Sequence, residues 1–396
     1  MTDLSFRVEP EIIIGTDVLN RIGTICKAYG NRVLIITEKR LVKRHLVDRL
    51  IALLEDVDVE TILFDAIDDR ATADVANTAA ELAQGARASV IIAFGGFTTQ
   101  TIARLTAIIA HSSLELFELL DGKDPNTSKT DAIAHDDLLP YIAIPSEADP
   151  FIFSRAFLTV DPRDRSVKLV KTPKGLCVAF LLDGALTADI ATHQLSVIDA
   201  LCITFEAYCS KSANFISDTL LEQAMVHYAR LLAAHNPYEM DNDAPKDPND
   251  SVNDDANNSL FLMSLGVALS APGIGAALAY AIHARFPVDK AQCSTILLPL
   301  VIERLISVRP EKIAKVAALL GEPTEGLSVA DSAHALLSAM KTRIAERTES
   351  TKLKDCKLVL DRLVPVAESA RNLEFIAYSP WTITSESVFE LLKAVF

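Results

Sequence analysis

Hydrophobic residues in the first half of the chain form short β-branched runs that alternate with amphipathic segments. The runs cover residues 32–37, 59–64 and 89–94, and the amphipathic segments cover residues 40–55 and 72–87. Strands that alternate with helical segments of this length are typical of βαβ units, in which helices cover both faces of a parallel sheet. The pattern therefore predicts an N-terminal Rossmann-like α/β domain.

A fourth predicted strand covers residues 141–144 and is closed by Pro145. Sheets of this kind bind their ligands at the carboxyl ends of the strands. We therefore expect binding chemistry in the turns that follow Ile36, Phe94 and Ile144.

The strand pattern stops near residue 185, and apolar residues then recur at helical spacing. We predict an all-α C-terminal domain over residues 186–396, after an α/β domain over residues 1–185. The predicted helices cover residues 187–209, 212–234, 258–284, 291–307, 310–320, 328–346 and 356–371.

Residues 236–257 separate two of these helices and are rich in Asp, Asn and Pro. Such a cluster favours turns and has no side chains for a core, so it predicts a solvated surface loop. Calcium binding is the alternative, but the acidic spacing of a calcium loop is absent.

Charge and composition narrow the classes of partner. The chain has 38 Lys and Arg against 53 Asp and Glu, a formal net charge of −15. Nucleic acids and anionic membranes need clustered basic residues, so neither is expected as a partner. The N-terminus lacks the pattern of a secretion signal, and the most apolar stretch, residues 260–282, is interrupted by Gly, Pro and Ser, which favours buried helices over a membrane span. Six cysteines without a CxxC pair indicate reduced thiols and a cytoplasmic protein.

Gly95 and Gly96 follow the strand at 89–94 and precede a helical segment. Glycines at such a turn let backbone N–H groups approach a phosphate, and the helix N-terminus adds partial positive charge. The alternative is a tight turn that uses glycine for its backbone conformation alone.

Three segments together resemble the iron-containing alcohol dehydrogenase family. Residues 196–209 resemble the family's GMDALTHAIEAY helix, residues 273–299 keep its glycine turn and ILLP helix, and residues 10–15 resemble its P-x-I-x-x-G N-terminal hairpin. The resemblance covers nearly the whole chain. It implies a dehydroquinate synthase-like architecture and an NAD(H)-linked oxidoreductase that acts on a small alcohol or carbonyl compound.

The resemblance also implies where a cofactor would bind. Glu38 matches an acid that bonds the adenosine ribose and would repel a 2′-phosphate, so NAD is preferred over NADP. The other matching positions lie in the family's GGGSxxDxAK turn and PTTAGTGSE-like loop. The implied cofactor-binding residues are Glu38, Gly95, Gly96, Thr98, Pro145 and Ser146.

Several residues depart from these two family motifs. Phe97, Gln100 and Ala103 replace the serine, aspartate and lysine of the turn, and Glu147 and Asp149 enter the loop. The Phe97 ring would occupy space that a dinucleotide needs. Carboxylates beside a pyrophosphate would repel it, so either the cofactor is absent or these side chains point away.

The metal-site positions depart further. The family binds iron or zinc through an aspartate and three histidines. Asp199 matches the aspartate, whereas Ile203, Ala276 and Lys290 stand at the histidine positions, and Tyr280 replaces a catalytic histidine. Apolar side chains and a protonated lysine cannot coordinate a metal, so we expect no Fe or Zn here.

Asp199, Tyr280 and Lys290 are expected to converge in a cleft between the domains. In one hypothesis the Lys290 ammonium stabilises a developing alkoxide while Tyr280 passes the proton, which would allow metal-independent hydride transfer. In the other, Lys290 neutralises Asp199 through a salt bridge and Tyr280 fills space. His193 and His283 lack partner ligands, so neither is expected to restore a metal site.

Two classes of function remain open from the sequence. The first is a metal-independent NAD(H)-linked oxidoreductase acting on a small alcohol or carbonyl compound. The second is a catalytically inactive homologue, a pseudoenzyme that serves as a binding protein or as a partner subunit. A small-molecule ligand in the interdomain cleft is expected, together with a homodimer or a pairing with an intact homologue.

Overall fold

The computed structural model describes residues 8–67, 70, 72–112, 114–121, 138–184, 194–234 and 251–396. The chain divides into two compact units. One comprises Met1–Asp164 and Lys168–Asp189, and the other comprises Arg165–Val167 and Ile190–Phe396. We call them the α/β unit and the helical unit.

The α/β unit contains a six-stranded sheet and a separate two-stranded sheet. The strands are Glu11–Gly15 (β1), Arg32–Thr37 (β2), Glu60–Phe64 (β3), Val90–Gly95 (β4), Tyr141–Pro145 (β5), Ala156–Val160 (β6), Val167–Lys171 (β7) and Cys177–Asp183 (β8). The large sheet has the order β1-β8-β5-β4-β2-β3, and its five strand pairings are all parallel. Strands β6 and β7 form the small sheet.

Both faces of the large sheet are buried at its inner strand β2, as expected for parallel strands between two helix layers. Val33 and Ile35 of β2 belong to a hydrophobic core that includes Leu50. Leu34 and Ile36, which point to the opposite face, are also fully buried. The predicted Rossmann-like parallel-sheet domain is therefore confirmed.

Six α-helices of the α/β unit lie among the described residues. They are Ile22–Lys27 (α1), Lys39–Lys43 (α2), Leu46–Glu55 (α3), Asp74–Ala86 (α4), Phe97–Ile109 (α5) and Leu116–Leu120 (α6). The segment predicted as one helix over 40–55 is two helices, because His45 adopts a left-handed backbone conformation with φ 57° that ends α2.

Strand β1 pairs in parallel with β8, with Ile13 opposite Leu181. A parallel partner this far along the chain cannot be recognised from a local motif. Residues 1–7 lie outside the described residues, so the N-terminal hairpin that the family resemblance suggested stays a prediction.

The helical unit contains nine α-helices among the described residues. They are Gln194–Cys209 (α7), Phe215–Ala234 (α8), Ser251–Ala268 (α9), Ile274–Arg285 (α10), Lys290–Val308 (α11), Pro310–Leu319 (α12), Val329–Ala345 (α13), Val364–Arg371 (α14) and Ser385–Ala394 (α15). Helix α10 is buried along nearly its whole length, so it is a central helix of this unit. The all-α C-terminal part is confirmed.

Three predicted segments differ from the observed helices. The segment 258–284 is divided between α9 and α10, since Gly273 precedes α10 in an extended conformation. Residues 251–257, predicted as loop, begin α9, and residues 235–250 lie outside the described residues. The segment 356–371 is α-helical only from Val364, after a short 3-10 helix at Leu360–Leu363.

One described helix, α11, has the length and composition of a membrane span. Half of its most apolar window is buried inside the protein, which is equally typical of the core helix of a folded domain.

Candidate functional site

The carboxyl ends of three neighbouring strands lie together at one end of the large sheet. Strands β2, β4 and β5 are neighbours, with Thr37 opposite Phe94 and Gly95 opposite Pro145. Because the strands are parallel, their carboxyl ends lie together, and the turns after them carry Glu38, Gly96 and Ser146. We call this region the glycine turn, defined by Glu38, Arg40, Gly95–Phe97 and Ser146–Glu147.

Glu38 fills the first part of the glycine turn. Its Oε1 accepts hydrogen bonds from the backbone N of Gly96 at 2.5 Å and from Oγ1 of Thr99 at 3.1 Å, and its Oε2 binds Nε of Arg40. A side chain on Gly95 would approach the same Oε1 within 2.7 Å. The glycine therefore makes room for a carboxylate of the chain itself.

Glu147 fills the second part of the glycine turn. Its Oε1 accepts a hydrogen bond from the backbone N of Phe97 at 3.2 Å, and its Oε2 accepts one from Arg40 at 3.3 Å. A Cβ atom on Gly96 would overlap the Glu147 carboxylate. Glu147 therefore lies directly over the backbone at the N-terminus of α5.

Arg40 connects the two carboxylates. It binds Glu38 and Glu147, and its Nη2 also donates to Oγ of Ser146 at 3.3 Å. Burial favours the neutral guanidine, but the charges of Glu147 and Glu38 outweigh it and raise the pKa of Arg40. The arginine thus stays charged and holds both carboxylates at the turn.

Residues in the first turn of α5 contact the backbone and side chains around the glycine turn. Gln100, where the family has aspartate, donates to the carbonyl oxygens of Ala93 at 3.0 Å and Gly95 at 3.1 Å, which ties α5 to β4. The ring of Phe97 is half-buried, and its centre lies 6.5 Å from the ring centre of Phe151. Thr98 is half-buried in the first turn of α5.

Asp149 points away from the glycine turn. It is 1% exposed, its Oδ1 accepts from the backbone N of Phe151 at 2.8 Å, and its Oδ2 lies 3.8 Å from the buried guanidinium of Arg104. Of the two loop carboxylates that the sequence raised as obstacles, Glu147 occupies the turn and Asp149 does not.

This arrangement of the turn does not fit a dinucleotide pyrophosphate. The backbone N–H groups of Gly96 and Phe97, which such a phosphate would use at a helix N-terminus, already bind carboxylates. A pyrophosphate would also lie against two like charges.

The helical unit brings the predicted residues Asp199, Tyr280 and Lys290 together. Asp199 lies on α7, Tyr280 on α10 and Lys290 at the start of α11. Nζ of Lys290 binds Oδ2 of Asp199, and Oγ of Ser294 donates to Oδ1 at 2.5 Å. The same Nζ lies 4.6 Å from the centre of the Tyr280 ring. We call these four residues the ion-pair cluster.

The donor set of the ion-pair cluster does not fit a divalent metal. Asp199 already binds an ammonium group and a hydroxyl. Ile203 and Ala276, which the sequence resemblance matched to two ligand positions, are each 1% exposed and apolar. Across the described ranges, no group of three or more His, Cys, Asp and Glu residues could hold a metal ion. A tight Fe or Zn site needs at least three such ligands.

Of the two histidines considered as replacement ligands, His283 lies among the described residues. Nδ1 of His283 lies 2.8 Å from the carbonyl oxygen of Val288, a contact within the α10–α11 connection. His193 lies outside the described residues.

Glu206, on α7, is a buried carboxylate that the sequence did not single out as a site residue. It accepts hydrogen bonds from the backbone N–H groups of Gly273, Gly275 and Ala276, at 3.2, 2.7 and 2.9 Å. Burial raises its pKa from 4.5 to about 7, against the lowering effect of these amides. Glu206 therefore caps α10 from α7 and joins the helices that carry Tyr280 and Asp199. The signal in the sequence was the glycine pair at 273 and 275, which leaves amides accessible.

A parallel α/β unit with a glycine turn after β4, followed along the chain by a helical unit with an aspartate on its first helix, defines a class of two-domain proteins. The family model described as iron-containing alcohol dehydrogenase matches residues 9–183, and the model of the family's C-terminal part matches residues 194–396. The chain belongs to the iron-containing alcohol dehydrogenase family, a family of oxidoreductases.

Curated relatives are similar to this chain over most of its length. Choline dehydrogenase of Bacillus subtilis (strain 168) is 22% identical over 343 residues, which cover 85% of this chain and 81% of that protein. A 1,3-propanediol dehydrogenase of Klebsiella pneumoniae is 23% identical over 341 residues, covering 84% of this chain and 82% of that protein.

Solved structures share the fold. The alcohol dehydrogenase from Oenococcus oeni superposes with a TM-score of 0.86 at 20% identity, with both chains fully covered. A sulfoacetaldehyde reductase from Bifidobacterium kashiwanohense, solved in complex with NAD+, superposes with a TM-score of 0.78 at 16% identity, covering 100% of this chain and 99% of the other. At these identities the likeness concerns the fold alone.

Proposed function

We propose that this chain is a pseudoenzyme of the iron-containing alcohol dehydrogenase family, which no longer carries out metal-dependent hydride transfer and serves as a binding protein or partner subunit. The ion pair between Lys290 and Asp199 supports this function. An ammonium group bonded to the one remaining carboxylate supplies the positive charge that a metal would supply to its ligands, and it leaves no coordination chemistry.

Partial burial makes this replacement favourable. The side chains of Lys290 and Asp199 are 18% and 13% exposed. A carboxylate at that depth is costly without a partner, so loss of a metal would select for a nearby cation. The Ser294 hydroxyl completes the bonding of Asp199.

Metal analysis tests the pseudoenzyme function directly. The purified protein is incubated with Fe(II) or Zn(II), passed through a desalting column and measured by mass spectrometry, beside an Asp199→Ala variant. We expect far less than one ion per chain, with no difference between the two proteins. A full equivalent of metal in the wild type that Asp199→Ala loses would overturn the proposal.

A second candidate is a metal-independent NAD(H)-linked oxidoreductase, favoured by the 4.6 Å separation between the Lys290 ammonium and the Tyr280 ring. Relatives such as the NAD-dependent methanol dehydrogenase of Bacillus methanolicus lend NAD(H) to this candidate. Against it, the ammonium lies over the ring face and is already neutralised by Asp199. Tyr280 itself is 4% exposed.

The Tyr280→Phe variant separates the two candidates, because it keeps the ring under Lys290 and removes only the hydroxyl. Turnover of small alcohols with NAD+, or of aldehydes with NADH, in metal-free protein would support the oxidoreductase if Tyr280→Phe abolishes it and leaves NADH binding unchanged. Absence of turnover in the wild type supports the pseudoenzyme.

The partner and location remain part of the proposal. A pseudoenzyme subunit implies a homodimer or a pairing with an intact homologue, and light scattering after gel filtration distinguishes these from a monomer. A cytoplasmic location is supported by the absence of disulfides among the six cysteines, all of which are free.

A further inference from the structure

The glycine turn contains its own anions at the position where the family's cofactor would place a pyrophosphate. Helix α5 spans 13 residues, and its N-terminus is a favourable site for negative charge because unpaired N–H groups and the helix dipole point to it. Here the N–H groups of Gly96 and Phe97 bind Glu38 and Glu147. Carboxylates of the chain itself therefore accept the hydrogen bonds that this turn would offer to a bound anion.

Charge at the turn disfavours an additional anion. Two carboxylates, Glu38 and Glu147, stand against one guanidinium, Arg40, so the three residues carry one net negative charge. Arg40, which would otherwise attract a phosphate, is bonded to both carboxylates. An approaching pyrophosphate would meet a negative field in place of a positive one.

The two carboxylates are not equivalent. Glu38 is 18% exposed in its side chain, and its Oε1 receives bonds from a backbone N–H and a hydroxyl. Glu147 is 41% exposed, and its bonds to Phe97 and Arg40 are 3.2 and 3.3 Å long. Glu38 also follows β2, where an acid is compatible with a bound dinucleotide because it can bond the ribose. Glu147 lies over the phosphate-binding backbone itself.

We propose that Glu147 is the residue that weakens the binding of a dinucleotide to this chain, by placing its carboxylate over Gly96 and by bonding to Arg40. The inference concerns cofactor binding and goes beyond the proposed function, since it holds whether or not the ion-pair cluster has any catalytic role.

The loss of Glu147 then has two consequences for the turn. The N–H of Phe97 becomes available, and Arg40 keeps Glu38 as its counter-ion while regaining donors that face the turn. The net charge of the group changes from −1 to neutral, because one carboxylate is left against one guanidinium. Both changes favour the pyrophosphate of NADH.

Equilibrium binding of NADH, followed by nicotinamide fluorescence and by calorimetry, tests the role of Glu147. Glu147→Gln keeps the shape and removes the charge, while Glu147→Ser also clears the space over Gly96. The matched control is Glu303→Gln in the helical unit, a carboxylate of similar exposure, 46%, that pairs with Lys341. It changes the net charge of the chain by the same amount.

We expect NADH to bind weakly to the wild type and to Glu303→Gln, about tenfold or more tightly to Glu147→Gln, and more tightly still to Glu147→Ser. Inorganic pyrophosphate should compete with NADH in both Glu147 variants. Equal NADH affinity in the wild type and in both Glu147 variants would overturn the inference, whatever the affinity is. Metal content and turnover do not enter this readout, so its failure is distinct from failure of the pseudoenzyme proposal.

Discussion

We expect Glu206 to make the stability of the protein depend on pH, with a sign and size that follow from the surroundings of its carboxyl group. The residue is 2% exposed, and burial raises the pKa of its carboxyl from 4.5 to about 7. The folded state therefore binds a proton more tightly than the unfolded state. A group of this kind stabilises the fold fully below its unfolded pKa, and the contribution is lost as the pH rises through the folded pKa.

The magnitude follows from the two pKa values. Each power of ten in an ionisation constant is worth about 1.4 kcal/mol, so the rise from 4.5 to about 7 corresponds to about 3 kcal/mol at most. Much of that change should occur between pH 5 and pH 8, where we expect Glu206 to reduce the free energy of unfolding by about 2–3 kcal/mol.

The matched variant is Glu206→Gln, which resembles the protonated acid and cannot ionise. Trp381, the only tryptophan of the chain, lies in the same helical unit as Glu206, so its fluorescence reports the unfolding of that unit. Urea unfolding of both proteins is measured from pH 5 to pH 8. As the pH rises across that range, we expect the free energy of unfolding of the wild type to fall by about 2–3 kcal/mol relative to that of Glu206→Gln.

Only the change of this difference with pH carries the test, since the glutamine amide can disturb the cap of α10 at every pH. A wild-type minus Gln difference that stays constant, or that grows in favour of the wild type as the pH rises, would refute the reasoning. It would mean that the amides of Gly273, Gly275 and Ala276 outweigh burial and hold Glu206 ionised in the fold.

Two further predictions concern buried groups of the α/β unit and the thiols. Arg104→Met should lower the free energy of unfolding by about 3 kcal/mol, because Asp149 loses the cation beside it. Thermal unfolding followed by circular dichroism measures this change. The double variant with Asp149→Asn should recover part of the loss, and no recovery would contradict the pairing. Burial raises the pKa of Cys26 and of Cys209 to about 12. Their thiolate fractions at pH 8 should be about a thousandfold below that of a free thiol, so a disulfide reagent should modify them only after unfolding. Rapid labelling of either in the native protein, located by mass spectrometry, would show that they are accessible.

The strands and most long helices were predictable because their signals are local. Residues 32–37 carry a β-branched run, and their burial on both faces matches that run. The break at His45 was not predictable, since an amphipathic pattern continues across it while the backbone changes direction. The same holds for residues 251–257, where Asp and Asn begin α9 although they favour turns.

The part of the candidate site that follows directly from the parallel sheet was predictable from the sequence. The parallel order of β2, β4 and β5 is enough to bring Glu38, Gly96 and Ser146 to one edge. The bridge from Arg40 to Glu147 was not predictable. It joins side chains 107 residues apart and depends on how two loops approach each other, which no local pattern encodes.

One electrostatic requirement accounts for both unusual features of this chain. A scaffold shaped around a bound anion at the N-terminus of α5 leaves unsatisfied N–H groups when the anion is absent, and a carboxylate shaped to hold a cation is costly when the cation is absent. Glu147 supplies negative charge at the first place, and Lys290 supplies positive charge at the second. The charge of each side chain has the same sign as the charge of the ligand that it would replace. The fold can therefore have its glycine turn and its Asp199 helix for stability alone, in a chain that we propose to be free of metal and to bind a dinucleotide weakly.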